Sequence, residues 1–223
     1  MKMRELIGTG AVPGGEELRL FRRGDDFIIA IGGNELMNSR MSGSEEALAV
    51  MSCDRLRSPD TAHLLIGGYG MGFTLRAALA ALGPKAKVTL AELVPAIIDW
   101  ARGPMSELAA GCLDDPRVEL VLGDVAAAIA AGRGRYDAIL LDVDNGPDGL
   151  VRAANDGIYS PAGLASAKAA LRPGGVLAVW SAAPDAQFAR RLAAAGFRVE
   201  EVAVRARSNG KGARHVIWFA SVR

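Results

Sequence analysis

The sequence predicts an α/β fold: a doubly wound sheet, mostly parallel with an antiparallel last strand, preceded by a small N-terminal β-hairpin. Three observations predict it. From Thr61 onward, apolar runs of strand length alternate with Ala/Leu-rich helical stretches, the pattern of a parallel sheet covered on both faces. The last two strand-like runs, Arg198–Arg205 and His215–Ala220, are separated only by a loop around Ser208-Asn209-Gly210, so they pair antiparallel. The first 35 residues instead carry two β-like runs, Leu18–Phe21 and Phe27–Ile31, around Arg23-Gly24-Asp25-Asp26, which reads as a hairpin with a charged turn.

Each element follows from local chemistry. Gly32–Met41 is polar and reads as loop. Ser42 with Glu45 three residues on fits a capping box, opening a helix to about Leu56. His63–Ile66 is a buried-strand run, and Phe73–Leu82 a helix stopped by Gly83-Pro84. Val88–Ala91 is a strand, followed by a helix from Pro95 to about Ala110. Val118–Leu122 is a strand, with a short Ala-rich helix from Asp124. Tyr136–Asp142 is a strand. Ser160-Pro161 supplies an N-cap and a first-turn proline for a helix that ends before Arg172-Pro173-Gly174-Gly175. Val176–Trp180 is a strand, and Asp185–Ala195 a helix ended by Gly196.

The 223 residues carry 26 basic and 25 acidic side chains, a net charge of +1, and are 50% hydrophobic. That excludes global disorder and argues against a dedicated nucleic-acid binder, which is usually clearly basic. The length suits one large domain with a small appendage: residues 1–41 as hairpin and loop, too small to stand alone, and residues 42–223 as the main domain. Cys53 and Cys112 lie in helix-like stretches with no CxxC and read as reduced packing residues. His63 and His215 sit in apolar strand contexts and read as structural. No metal site or hydrolase triad is expected. The N-terminus lacks a signal-peptide core and no apolar run is long enough to span a bilayer. The expectation is therefore a cytoplasmic protein without membrane or nucleic-acid partners.

The most informative segment is Leu64-Leu65-Ile66-Gly67-Gly68-Tyr69-Gly70-Met71-Gly72-Phe73, a strand running through a Gly-rich turn into a helix. Glycines allow a sharp turn and close ligand approach, and the helix N-terminus offers free N–H groups to an anion. The dinucleotide fingerprint G-x-G-x-x-G fails at Phe73, and no Lys-Ser or Lys-Thr follows to make a Walker A loop. Three acids then fall at strand ends. Glu92 can accept both hydroxyls of a ribose. Asp124 can accept from an exocyclic adenine amine or simply cap the next helix. Asp142, with Asp144 two residues on, points into the crevice at the sheet's carboxyl edge.

Together the glycine loop, Glu92, Gly123-Asp124 and Tyr136-Asp137-Ala138-Ile139-Leu140-Leu141-Asp142 resemble the class I S-adenosylmethionine-dependent methyltransferase fold, which is Rossmann-like. Within it they resemble the spermidine synthase (aminopropyltransferase) branch most. The N-terminal hairpin and Ile158-Tyr159-Ser160 match that branch, and the resemblance covers about residues 17–221. It implies S-adenosylmethionine, or its decarboxylated form, bound by Gly67, Gly68, Tyr69, Gly70, Gly72, Glu92, Leu93, Asp124 and Val125. The family's loop reads G-G-G-D-G-G. Its aspartate, which holds the amine end of the decarboxylated donor, corresponds to Gly70. The family's D-S-S-D-P corresponds to Asp142-Val143-Asp144-Asn145-Gly146, so the proposed base is kept as Asp142 while the polyamine-contacting acid becomes Asn145 unless Asp144 substitutes. The methyltransferase loop usually has an acid two residues before its first glycine, where this chain has Ile66.

Loss of the loop carboxylate frees N–H groups for a donor that keeps its own carboxylate. The favoured expectation is thus a methyltransferase acting on a small-molecule acceptor, with Asp142 as base or orienting acid and Asp144 in support. Met37, Asn145 and Tyr159 are expected to line the acceptor pocket. One alternative is an aminopropyltransferase that uses decarboxylated S-adenosylmethionine and a polyamine. Another is a non-catalytic nucleoside-binding relative. The resemblance also leaves open a homodimer through the N-terminal hairpin.

Overall fold

The computed structural model describes residues 3–143 and 157–222. The chain opens with four antiparallel strands in sequential order: β1 (Glu5–Ala11), β2 (Glu17–Arg23), β3 (Asp26–Ile31) and β4 (Asn34–Asn38). The sheet is twice the hairpin that the apolar runs reveal. β1 is hidden in the sequence by Gly8 and Gly10, which weaken strand propensity. Both are required by packing, since a Cβ at Gly8 would stand 2.6 Å from Trp100 Nε1 and one at Gly10 2.5 Å from Ala96 Cβ. β4 carries two Asn and a Glu and reads as loop, yet it pairs with β3 through Ile29↔Met37 and Ile28↔Asn38.

Helix α1 (Gly43–Cys53) leads into the main sheet, ending three residues before Leu56, whose N–H closes a turn on Cys53. The sheet alternates strands and helices in chain order: β5 (His63–Gly67), α2 (Phe73–Ala81), β6 (Lys87–Glu92), α3 (Pro95–Arg102), α4 (Ser106–Ala109), β7 (Val118–Leu122), α5 (Val125–Ala131), β8 (Tyr136–Leu141), α6 (Pro161–Ala170), β9 (Leu171–Ser181), α7 (Ala186–Ala194), β10 (Arg198–Arg205) and β11 (Arg214–Ser221). The spatial order is β10-β11-β9-β8-β5-β6-β7. β11 runs antiparallel to both β9 and β10, while β5 through β9 pair parallel. The single helix expected over 95–110 is instead α3 and α4, broken at Gly103-Pro104, where proline cannot continue the backbone ladder.

Alternation along the strands divides the core between the two faces. Leu64, Ile66, Val88, Leu90, Leu140 and Ala178 face one way, and Leu65, Ile139, Leu141, Leu177, Val179 and Trp218 the other. Both histidines are hydrogen-bonded within the fold: His63 Nε2 lies 3.0 Å from Thr89 Oγ1 and His215 Nδ1 lies 2.9 Å from Ser44 Oγ. Cys53 and Cys112 are free and buried. No described helix is long and apolar enough to cross a membrane.

Arg117 joins the start of β7 to the end of α2. Its guanidinium pairs with Asp115 at 2.8 Å and donates to the carbonyls of Leu79 at 3.0 Å and Leu82 at 2.9 Å. Leu79 lies in the last turn of α2, where the helix itself supplies no donor, and Leu82 directly follows that turn. Arg117→Ala should therefore lower stability by roughly 1–3 kcal/mol, read as a lower melting temperature.

Candidate functional site

In a parallel sheet all strands deliver their carboxyl ends to one edge, and ligands bind in the crevice outside it. Here the register levels those ends: Gly67 pairs with Ala91 on one side and Leu141 on the other. The Gly68 N–H donates to the Ala91 carbonyl at 2.9 Å, and the Asp142 N–H to the Gly67 carbonyl at 3.1 Å. Above this edge lies a cavity of about 190 Å³. Its floor includes Gly68, Gly70, Glu92, Leu93, Gly123, Asp124, Val125 and Asp142, and its roof is the N-terminal sheet, through Leu18, Ile29, Ile31, Leu36 and Met37.

The glycine loop is a cradle that side chains would fill. Gly68, Gly70 and Gly72 all have positive φ, at 85°, 55° and 79°, a region that residues with a Cβ adopt at a cost. A Cβ at Gly68 would lie 2.7 Å from the Asp142 carbonyl oxygen, and one at Gly70 2.9 Å from Met37 Cε. Gly67 and Gly72 stand behind the cavity: Gly67 packs on Val125 and Leu141, and Gly72 caps α2 against the Tyr69 ring. The Tyr69 side chain also turns away from the cavity, its hydroxyl 3.6 Å from Cys112 Sγ. Only its backbone serves the site, the N–H donating to Glu92 Oε2 at 2.8 Å.

Glu92 ends β6 and is 4% exposed. Its second oxygen accepts the Val94 N–H at 2.8 Å. Burial raises this carboxyl's pKa, opposed by the N–H groups of Val94, Tyr69, Gly70 and Leu93. The carboxylate lines the cavity at the carboxyl end of β6, the position from which an acid accepts from a ribose diol. Asp124 is exposed and caps α5, with Oδ1 accepting the Ala126 N–H at 2.8 Å. The cap is thus made, and Asp124 lines the cavity as well. Open space adjoins Gly123, where a Cβ would meet nothing within 4 Å. Glycine cradle, paired acids and open floor together fit a nucleoside with a charged tail.

Asp142 follows β8. Thr74, in the first turn of α2, donates its hydroxyl to Asp142 Oδ2 at 3.1 Å. Glu45, from the first turn of α1, reaches the same part of the cavity. Burial and the Asp142 charge push Glu45 up to about 8, and burial raises Asp142 to about 6. The pair holds a proton where isolated carboxyls would not. Glu45 is the main residue that sequence reasoning missed as a site group, because Ser42-x-x-Glu45 looks like a capping box. The structure corrects this. Ser42 makes no side-chain cap bond, and the start of α1 is held from outside, the Gly43 N–H donating to the Ala206 carbonyl at 3.0 Å. Glu45 is left facing the cavity, with the Ser44 hydroxyl donating to its Oε2 at 3.1 Å. Trp180, at the end of β9, lines the cavity too and carried no sequence signal.

Met37 lines the cavity. Tyr159 does not. It is 1% exposed, edge-on to Phe188 with centroids 5.4 Å apart, while its neighbour Ile158 lines the cavity. The Ser160 cap, accepting the Gly163 N–H at 3.0 Å, starts α6 immediately after it, and α7 supplies the aromatic partner. Asp144 and Asn145 lie outside the described residues.

Comparison with known proteins agrees with this architecture. The model of the spermine/spermidine synthase domain matches residues 45–189. The polyamine aminopropyltransferase of Mycobacterium tuberculosis strain H37Rv is 32% identical over 177 residues, 76% of this chain and 31% of that protein. Putrescine N-methyltransferase 4 of Nicotiana tabacum is 42% identical over 120 residues, 53% of this chain and 29% of that protein. The chain thus spans less than a third of the length of these curated relatives. Spermidine synthase from Thermotoga maritima superposes with a TM-score of 0.77 at 21% identity, covering 97% of this chain and 72% of that one, a likeness of fold. With a matching domain model over most of its length, the chain belongs to the spermine/spermidine synthase domain family.

Proposed function

We propose that this chain is a transferase that moves an aminopropyl group from decarboxylated S-adenosylmethionine to an amine. The observation that carries the reading is the division of one cavity into two acidic ends. Glu92 and Asp124 stand at the carboxyl ends of β6 and β7, with Glu45 and Asp142 beyond the glycine loop. When bound, the donor supplies an activated sulfonium carbon, so that the acceptor nitrogen's lone pair forms the N–C bond, the C–S pair returns to sulfur as a neutral thioether, and the positive charge ends on nitrogen. The chain's own task is to place the nitrogen in line and manage its proton. An amine arrives as a cation, which carboxylates attract. Asp142 takes its proton, Thr74 orients Asp142, and Glu45 shares the proton load. Residues 1–41 roof the site and exclude water; residues 42–223 carry the donor.

The methyl-transfer reading favoured by the sequence alone has less support than this one: the aminopropyltransferase relative matches 76% of the chain and the methyltransferase relative 53%. One observation still favours it as a second reading. At Gly70 the loop has no carboxylate for a donor amine, and Met37 occupies the space. Incubation with each donor and putrescine, with products identified by mass spectrometry, tests both. An aminopropylated amine supports the first reading, and a methylated amine made only from intact S-adenosylmethionine supports the second. Absence of product together with absence of donor binding would sink both.

Gly70→Asp probes the donor choice directly. Asp tolerates the left-handed backbone better than most residues, and the flexible Met37 can yield. A restored charge-assisted hydrogen bond is worth about 1.5–3 kcal/mol. The ratio of kcat/KM for the decarboxylated donor over intact S-adenosylmethionine should rise about tenfold or more, measured by steady-state kinetics with each donor.

A further inference from the structure

A chain of hydrogen bonds leads from the acid pair to the far side of the cavity wall. Glu45 and Asp142 line the cavity, and so does Trp180. In the first turn of α1, the Ser44 hydroxyl donates to Glu45 Oε2 at 3.1 Å. The same hydroxyl oxygen lies 2.9 Å from Nδ1 of His215, on β11. That imidazole stands edge-on to the Trp180 ring, with centroids 4.8 Å apart and planes at 78°. Ser44 is fully buried and His215 is partly exposed. Ser44 thus links a carboxyl of the site to a titratable ring 171 residues further along the chain.

A hydroxyl has one proton to give and lone pairs with which to accept. With fixed partners it suits one protonation state of a neighbouring carboxyl, and in the other state a buried polar group loses its partner, which is costly. Neutral imidazole removes that conflict, since either ring nitrogen can carry the proton. With Glu45 ionised, Ser44 donates to the carboxylate and accepts from Nδ1–H. With Glu45 protonated, Glu45 donates to Ser44, Ser44 donates to Nδ1, and the ring proton sits on Nε2. The two arrangements differ by one proton. The ionised one gains more, because its bonds point at a charge. The other elements around the ring leave this exchange undisturbed. β10 sets Val204 opposite His215, and further along β10 Glu200 is paired with Arg55 at 2.8 Å. α1 adds Glu46 beside Glu45. The cations of β10, β11 and the loop between them, Arg198, Arg205, Arg207, Lys211 and Arg214, are exposed.

We propose that Ser44 and His215 are positioning residues of the acid pair: by switching tautomer behind the cavity wall, His215 lets the Ser44 hydroxyl hold Glu45 in both protonation states and favours the carboxylate. This rests on the reading that the pair takes a proton from an amine, and it deepens that reading.

Two measurements on the full chain test it. The first reads the imidazole nitrogens by ¹⁵N NMR as pH rises through about 8, where Glu45 loses its proton. Burial holds His215 below its usual 6.5, so the ring is neutral there. The chain has two histidines, and His215→Asn identifies their signals. The His215 proton should move from Nε2 to Nδ1 in the wild type and stay put in Ser44→Ala and Glu45→Gln. The second follows kcat/KM for putrescine against pH with each donor. His215→Leu, checked for retained melting behaviour, should shift the rising limb upward by about one pH unit or more, with donor affinity by calorimetry unchanged. Ser44→Ala should shift it the same way, and His215→Asn, whose amide can donate or accept, should restore the wild-type position. A tautomer that ignores Glu45, or that switches equally in Ser44→Ala, would overturn the proposal. So would a His215→Leu profile that is scaled down but not shifted, with the amine-transferase reading left standing. A wild-type chain that transfers to no amine from either donor would remove that parent reading, and the assignment with it, even where the tautomer follows Glu45.

Discussion

Asp142→Asn should lower the rate of transfer by about 10²–10⁴-fold, the usual contribution of a positioned general base, while donor affinity changes little. The amide is nearly isosteric, and its oxygen can still accept from the Thr74 hydroxyl, which lies 3.1 Å from the native carboxylate. What is lost is the capacity to take the acceptor's proton. Steady-state kinetics and donor calorimetry on the same sample separate the two effects. A variant that kept its rate would remove Asp142 from the base role.

The same pair of acids predicts a pH profile. Asp142 is raised to about 6 and Glu45 to about 8, so activity should climb as pH rises through that interval and the pair loses its protons. Stability should move the other way. Both folded values lie above the ordinary 3.8 and 4.5. The associated stabilisation is therefore complete below those ordinary values and is lost as pH rises through about 6 and about 8. Asp142→Asn and Glu45→Gln remove a charge that the folded chain holds at a cost. Each should melt higher than wild type by roughly 2–6 °C at pH 9, with the gap closing toward pH 4. A gap that widened toward acid would contradict the burial argument.

Glu92→Gln should weaken donor binding at least 100-fold and also destabilise the fold. Glu92 lines the cavity and accepts the backbone N–H groups of Tyr69 and Val94, each at 2.8 Å. Glutamine has one acceptor oxygen, so one of those buried N–H groups loses its partner, at about 1–3 kcal/mol. Two ribose hydroxyls that donated to a carboxylate would at the same time lose charge-assisted bonds of about 1.5–3 kcal/mol each. Calorimetric titration with 5′-methylthioadenosine checks the affinity, and a thermal melt without ligand checks the fold. Unchanged affinity in a destabilised variant would mean that Glu92 only braces the glycine loop.

Much of the cavity floor was legible in the sequence. Glu92, Asp124 and Asp142 could be placed because each follows an apolar run of strand length, and a parallel sheet brings all such ends to one edge. Asp124 shows the limit of that reasoning: capping and ligand contact need the same residue type at the same position, and the cap at Ala126 is made without excluding the second role. Tyr69 and Tyr159 show another limit. An aromatic side chain beside a functional loop looks like a pocket wall, but packing on Cys112 and Phe188 turns these two inward.

Sequence alone determined the doubly wound sheet with its antiparallel last strand, the glycine cradle and the acids at the strand ends, because these depend on period, turn chemistry and chain order. Tertiary structure alone decided which other side chains join them in the cavity. Glu45 and Asp142 share a cavity only because α1 packs beside the carboxyl edge of the main sheet, its start tied by the Gly43 N–H to the Ala206 carbonyl, a contact between segments more than 160 residues apart. Trp180, Met37 and Leu36 line one cavity only because the N-terminal sheet folds over the carboxyl edge of the main one. A local pattern shows which residues can form a strand or a helix. Which side chains share a cavity is set by burial between distant segments, and that no local pattern carries.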